Sequence, residues 1–452
     1  MERDYLFLES TICLCNICGE KVEGKIIQKE NSIYLLKDCK KHGEQVEILE
    51  EDAEYHRRKK EYEKPGNKIN PDTKQKLGCP FDCGLCPQHE QHSCNAIIDV
   101  TDQCDMCCPT CYASSGKGNY LSLEKIEKMM DFFQDREDNK AEILQISGGE
   151  PTTHPDILKI IELSKKKNFK YVMLNTNGLR IAKDENFVKE LSKFRGRFEI
   201  YLQFDGFKES TYKTLRGKNW FPEKMKTIEN LRKYKIPIML VSTIEAGVND
   251  DEIGKIFEFG MNTRGIRGVN FQPVAFFGRT RNAKTKNRTT LSGIIERLEE
   301  QTKGTVKKTD IVPLPCNTHR VAVSYFYKDK DGFFPLTRKI DVRSYLPLID
   351  NTFAFDADKI LEDKSNLIGC CNCFAKFFSS FEKLIPSNYR KMSTDEKMDW
   401  WDEHSFKISV VSFIDKYNFD MASMKKECVH FITPDFKRIP FSSYNMFYRK
   451  AI

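Results

Sequence analysis

The chain has 452 residues, 31% of them charged, and a formal net charge of +7. That length suits two or three domains rather than one small core, and no apolar run approaches the roughly 20 residues of a membrane-spanning helix. The N-terminus, MERDYLFLES, has no basic region leading into a long apolar core, so a cytoplasmic location is expected, with peripheral contact at a membrane surface left open. The modest positive excess reads as a solvated surface, and no nucleic-acid partner is expected.

There are 17 cysteines, an odd number, and many stand two or three residues apart. That spacing suits metal ligation in a reducing compartment better than a disulfide framework. In residues 11–43, Cys15 and Cys18 form a CxxC knuckle and Cys39 and His42 a CxxH knuckle. The segment between them, KIIQKENSIYLLKD, predicts a β-hairpin about Asn31-Ser32. Two knuckles around a hairpin make a closed site for zinc or a rubredoxin-type iron, which stabilises a domain (1–50) too small to hold on its own core. Cys13 is left over. Residues 51–78 are almost wholly charged or polar and predict a linker or a solvated helix.

Cys79, Cys83, Cys86 and Cys94 follow (79–94). Four thiolates complete a 4Fe–4S ligand set with no open iron; zinc is the alternative, and the neighbouring cysteine loop favours iron–sulfur. That loop carries Cys104, Cys108 and Cys111 in the spacing CxxxCxxC, with Cys107 as an extra thiol. Three thiolates hold three irons of a cube and leave the fourth open to chemistry.

From 95 to 275 strand-like runs (NAIIDVT, AEILQIS, FKYVMLNT, FEIYLQF, IPIMLVST, IRGVNFQ) alternate with helical stretches such as 122–133 and 156–167. Ile157, Ile160, Ile161 and Ser164 mark one face of the second helix. The fold class expected is α/β, with a parallel sheet curved into a partial barrel and helices outside it. The C-terminal strand ends, where ligands gather in such proteins, carry Gly148, Gly149, Glu150 and Pro151, then Asn175 and Asn177, Gln203 and Asp205, Thr243, and Gln272. The glycines are expected to let a ligand approach the backbone, and Glu150 to accept from an ammonium group. S-adenosylmethionine offers an amine and a carboxylate to the open iron and is the expected cofactor. His154, in HPD at a helix start, reads as structural. Residues 276–452 are less regular; a helix near 291–303, the segment VAVSYFY, and two strand-like runs about Asp435 stand out.

CxxxCxxC followed by GGEP resembles the radical SAM superfamily over roughly 95–275, a (β/α)6 partial barrel. Most members have an aromatic residue before the third cysteine; here Thr110 stands there and Tyr112 follows, a candidate for packing on the adenine side. The resemblance extends along the chain through GCPFDCGLCPQHEQHSC, GGEPTTHPD, NTNGLR, YLQFDG, GVNFQPVAFFGR, PLPC and YNFD…CVHFITPD…IPFSSYN to the archaeal tetraether lipid synthase family. It implies a 5′-deoxyadenosyl radical that takes hydrogen from unactivated carbon, C–C coupling of isoprenoid lipid tails, an auxiliary 4Fe–4S cluster, and an electron donor such as ferredoxin or flavodoxin. It also implies a second auxiliary cluster at Cys316 and Cys428, whose other two cysteines are missing here. Substitution by His319 or by Cys370, Cys371 and Cys373, or loss of that cluster, all stand open. The missing cysteines motivate an alternative, radical modification of a pterin or another small molecule. The 32 phenylalanines could line a lipid tunnel or fill a barrel core.

Overall fold

The computed structural model describes residues 4–67, 69–138, 140–167, 169–280, 288–329, 332–340, 342–346 and 382–449. The first fifty positions form a four-stranded antiparallel sheet, β1 (Leu6–Leu14), β2 (Lys21–Lys29), β3 (Ser32–Cys39) and β4 (Gly43–Glu50), in that order. The predicted hairpin is β2–β3, turned through Glu30 at φ +53°. Cys13, without a role in the sequence, is fully buried in this small core and sits over Gly24, where a Cβ would stand 2.3 Å from its Sγ. Lys37, also buried, ties the sheet to a distant loop by donating to the carbonyls of Leu14 (3.0 Å), Lys416 (3.1 Å) and Tyr417 (2.6 Å).

The first part of 51–78 is not the solvated stretch its composition predicts, whereas the described residues of 63–78 form an exposed to half-buried connector as expected. Asp52 caps a helix, Ala53–Lys59, by accepting from the backbone N–H of Glu54 at 2.8 Å. Tyr55, His56 and Lys59 are buried, and Lys59 meets Glu50 at 3.5 Å. Long charged side chains hide an inward face when their stems pack and their heads find partners.

The βα alternation folds as predicted. Strands β5 (Asn95–Asp99), β6 (Ile143–Ser147), β7 (Tyr171–Thr176), β8 (Phe198–Gln203), β9 (Ile238–Ile244) and β10 (Ile266–Pro273) lie parallel in chain order. Helices cover the outside. Ile157, Ile160, Ile161 and Ser164 of helix Ile157–Lys166 are all buried, the face that the periodicity marks. His154 is structural as expected: one ring nitrogen lies 2.9 Å from the Leu121 carbonyl, and the other accepts from Asp156 N–H at 3.0 Å.

The later strands are β11 (Val312–Pro313), β12 (Val321–Asp329), β13 (Gly332–Pro335), β14 (Ser405–Val411), β15 (Val429–Ile432) and β16 (Arg438–Pro440). They continue the same sheet at both edges and so do not form a separate layer. β14 runs parallel to β10 and antiparallel to β12; β15 runs parallel to β5, with Val429 opposite Asn95. A six-stranded barrel leaves two unpaired edges, and these strands cover them. Much of the phenylalanine content is core: Phe204, Phe207, Phe221 and Phe259 pack ring against ring outside the barrel. No helix among the described residues is long and apolar enough to cross a membrane.

His56 adds a testable pH dependence. Neither ring nitrogen has a hydrogen-bond partner, and burial lowers its pKa to about 2. An imidazole in the unfolded chain takes up a proton near pH 6.5, whereas the folded one stays neutral, so stability falls as pH drops from 6.5 toward 2. At pH 5 this group costs about 2 kcal/mol relative to pH 8. Denaturant titrations should show His56→Leu losing that much less stability than the native chain between pH 8 and pH 5. Equal losses would mean that the imidazole is hydrated in the fold.

Candidate active site

The loop after β5 carries Cys104, Cys108 and Cys111 to the C-terminal end of the barrel, where all three border a cavity of about 700 Å³ inside it. Two backbone bonds set the loop in place: Gly149 N–H donates to the Thr101 carbonyl and Glu150 N–H to the Gln103 carbonyl, both at 2.7 Å. They prolong the β5–β6 pairing beyond the strand ends. A Cβ on Gly148 (φ +146°) would lie 2.4 Å from the Thr101 oxygen, and one on Gly149 would lie 2.2 Å from the Gln103 oxygen. The glycines therefore admit the chain's own cysteine loop, and both also border the cavity, where the sequence places a ligand.

Glu150 borders the cavity as well, with its carboxylate engaged by neighbouring loops. It is 1% exposed and accepts from Thr152 N–H (3.0 Å), Thr176 Oγ1 (2.7 Å) and Asn177 N–H (2.7 Å), joining the loops after β6 and β7. Burial still raises its pKa. Pro151 opens the turn behind it and does not border the cavity. Asp205 does not border it either. It is fully buried and grips Arg216 through two bonds of 2.7 Å; Arg216 also donates to Thr243 Oγ1 at 2.8 Å. Asn175, Asn177, Gln203, Thr243, Gln272 and Tyr112 all line the cavity. Asn175 Oδ1 is buried there without a hydrogen-bond partner. Tyr112 packs on Phe441 with ring centroids 5.4 Å apart.

Three cations near the cysteines have no signal in the sequence. Arg216 approaches Cys108 and Thr110, whose hydroxyl donates to the Leu215 carbonyl at 2.9 Å. Lys224 is buried, donates to Gln203 Oε1 at 2.7 Å, and is brought down to about 8 by desolvation. Arg279 clamps the loop: its N–H donates to the Cys111 carbonyl (3.1 Å), and its guanidinium to the carbonyls of Cys108 (2.8 Å) and Ser115. Burial pushes the Cys104 thiol up to about 12, so its thiolate form at neutral pH depends on a bound metal. Cys107 is exposed and stays outside the cavity.

The other cysteines regroup. Cys15, Cys18, Cys39 and His42 come together as the spacing predicts, with His42 Nδ1 3.5 Å from both Cys15 and Cys39. Burial would raise the Cys15 thiol, but hydrogen bonds from Gln45, Ile17 and Cys18 outweigh it and bring it to about 5. Cys79, Cys83 and Cys86 share a small buried hollow against Pro440 and Met424. Cys94 leaves them, a correction to the four-cysteine set. It precedes β5, and pairing of β5 with β15 draws it to Cys428 and Cys316. His319 does not join them; its Nε2 meets Glu63 at 3.0 Å. Cys370, Cys371 and Cys373 lie outside the described residues.

The radical SAM superfamily model matches residues 77–260, and the HMPTM N-terminal zinc ribbon domain matches residues 7–51. The 7,8-dihydro-6-hydroxymethylpterin dimethyltransferase of Methanocaldococcus jannaschii is 34% identical over 98% of this chain and 94% of its own length. This chain belongs to the radical SAM superfamily. More distant members match only in part: the GTP 3′,8-cyclase of Mannheimia succiniciproducens is 31% identical over 35% of this chain and 47% of that enzyme. Among solved structures, Streptococcus suis SuiB bound to precursor peptide SuiA superposes with a TM-score of 0.40 at 15% identity, over 66% of this chain and 69% of SuiB.

As a radical SAM enzyme the chain uses a 4Fe–4S cluster and S-adenosylmethionine, with an auxiliary cluster and an N-terminal metal site beside them. Its residues fit that chemistry: three cysteines face one cavity, and an orphaned amide oxygen, Asn175 Oδ1, waits in it. Replacing Gly149 by alanine should force the cysteine loop off β6. Iron and acid-labile sulfide in the purified variant are expected to fall by one cube per chain, while zinc is unchanged. A full iron content would show that the loop tolerates the displacement.

Proposed function

We propose that this radical SAM enzyme modifies a pterin or a related small polar heterocycle, with methylation as the leading reaction. The observation that carries the reading is the lining of the barrel. Below the cysteines the cavity meets Gln145, Glu199, Tyr201, Arg267, Asn270 and Ser409, polar groups drawn from β6, β8, β10 and β14. Several are tied to one another or to the wall, Asn270 to Tyr201 and Ser409, and Arg267 to Tyr171 and Asp402, and a hydrocarbon tail would return no hydrogen bonds to the donor and acceptor sites they keep free. A fused heterocycle with amino and carbonyl edges satisfies them. The Methanocaldococcus relative, named for a hydroxymethylpterin, points the same way. Coupling of lipid tails, the other reading, has less support, since few of the chain's phenylalanines (Phe277, Phe326, Phe413 and Phe441 among those described) reach the cavity.

In this reading Cys104, Cys108 and Cys111 hold the cluster, and Asn175, Gln203, Thr243 and Gln272 contact S-adenosylmethionine. The bound cluster and S-adenosylmethionine, reduced by an external one-electron donor such as ferredoxin or flavodoxin, supply a 5′-deoxyadenosyl radical. Aromatic and alkyl C–H bonds have no acidity that a side chain can exploit, so the cofactor carries that step. The protein binds and orients. Glu199, 3% exposed and raised in pKa by burial, presents a carboxyl to the paired N–H groups of a pyrimidinone edge. Arg216 and Lys224 place positive charge beside Cys108 and Gln203. The barrel wall keeps water from the reacting carbon.

Reduced, reconstituted protein given 7,8-dihydro-6-hydroxymethylpterin, S-adenosylmethionine in excess and a separate one-carbon donor is expected to yield 5′-deoxyadenosine and methionine from one S-adenosylmethionine, and a pterin heavier by one or more methyl groups drawn from a second S-adenosylmethionine or from the one-carbon donor. Cys108→Ala should yield neither; Cys107→Ala should yield both. Failure of the native protein to form deoxyadenosine, with its cluster present, would end the enzymatic reading. Deoxyadenosine with unchanged pterin, and bridged products from archaeal diether lipid instead, would restore lipid coupling.

A further inference from the structure

Cys94, Cys316 and Cys428 bring their Sγ atoms within 4.8 Å of one another, Cys316 and Cys428 standing 3.7 Å apart. All three are at most 1% exposed. His92 points Nε2 at this group, 3.4 Å from Cys94 Sγ, while its Nδ1 lies 3.4 Å from Glu137 Oε2. We propose that Cys94, Cys316 and Cys428 form a mononuclear site for a thiophilic divalent cation, Zn²⁺ or Fe²⁺, with His92, held by Glu137 beside Cys94, swinging in as the fourth ligand when the ion binds.

Distances separate this assignment from the alternatives. Metal–sulfur bonds of 2.3 Å and metal–nitrogen bonds near 2.05 Å, set tetrahedrally, place sulfurs about 3.8 Å apart and sulfur about 3.5 Å from nitrogen. The 3.7 Å between Cys316 and Cys428 matches the sulfur spacing and the 3.4 Å from His92 to Cys94 the nitrogen spacing to that thiol, while the three thiols alone already stand within 4.8 Å of one another. A four-iron cube gives each cysteine a separate iron and needs its thiols spread wider than these. A disulfide would require sulfurs near 2.05 Å and would strand the third thiol. The zinc-ribbon site has the same signature, with its two cysteines 3.5 Å from His42.

Beyond the ligands, Glu137 is itself fixed: Arg438 donates to its Oε1 at 2.6 Å and Ser93 N–H at 3.3 Å. A carboxylate behind a ligating histidine sets its tautomer and raises its basicity. Cys94 precedes β5, Cys316 lies in the turn between β11 and β12, and Cys428 precedes β15. One ion would therefore clamp three distant segments, and the full burial of the three thiols marks the site as structural.

The test uses full-length protein purified without oxygen, with iron and zinc counted per chain. The native chain is expected to hold two ions beyond its cubes. Cys316→Ala should lose one ion and no cube iron. His92→Ala should release that ion to EDTA at a concentration the native protein withstands, His92→Cys should keep it, and Glu137→Gln should release it at roughly 10- to 100-fold lower chelator. Loss of four irons from Cys316→Ala would overturn the mononuclear assignment, and unchanged metal would overturn the site. A His92→Ala protein as retentive as the native one would remove the histidine. Should Cys316→Ala not fold, X-ray absorption of the native protein decides: a single mononuclear ion per chain, accounted for by the N-terminal site, overturns the proposal.

Discussion

Two backbone hydrogen bonds, from Gly149 to Thr101 and from Glu150 to Gln103, hold the cysteine loop to the end of β6. They fix the start of the loop from Thr101 to Tyr120, and Arg279 and the Thr110–Leu215 bond hold its later half. The bonds require two consecutive residues without side chains, since any Cβ would enter the backbone of the loop. Glu150 follows at once and reaches across to Thr176 and Asn177, so the same turn that seats the loop also locks the next strand end. The geometry of the site therefore descends from a steric demand on Gly148 and Gly149.

Around that seat the electrostatics are arranged in layers. Asp205 does not touch the cavity, yet it sets the direction of Arg216, which in turn meets Thr110, Thr243 and Cys108. Arg279 binds the loop carbonyls from the opposite side. Thiolates gathered at one point repel one another, and buried cations offset this more strongly than solvated ones could. The polar floor formed by Glu199, Tyr201 and Asn270, with Asn270 joined to Tyr201 and Ser409, then faces whatever occupies the barrel.

Local spacing made much of this legible. The CxxxCxxC loop, the two N-terminal knuckles and the six parallel strands are all patterns within a few residues, and each appears in the structure. What failed was information carried by pairing between distant segments. Cys94 reads as the fourth member of a cysteine run, but β5–β15 pairing takes it elsewhere. GGEP reads as a ligand cradle, and the sequence cannot show that its glycines also make room for residues 101–103. Arg216 and Lys224 were indistinguishable among 73 lysines and arginines until the fold buried them. The helix at 53–59 was hidden for the converse reason, since its charges looked solvated.

The parallel pairing of β5 with β15 also bears on how the chain comes to be folded. Ser93 and His430, in contact across that junction, are 337 residues apart. During synthesis the barrel can assemble from β5 to β10 long before β15 exists, and its first strand must wait with one edge bare. Closing so long a loop is slow, and an exposed parallel edge invites pairing with another chain.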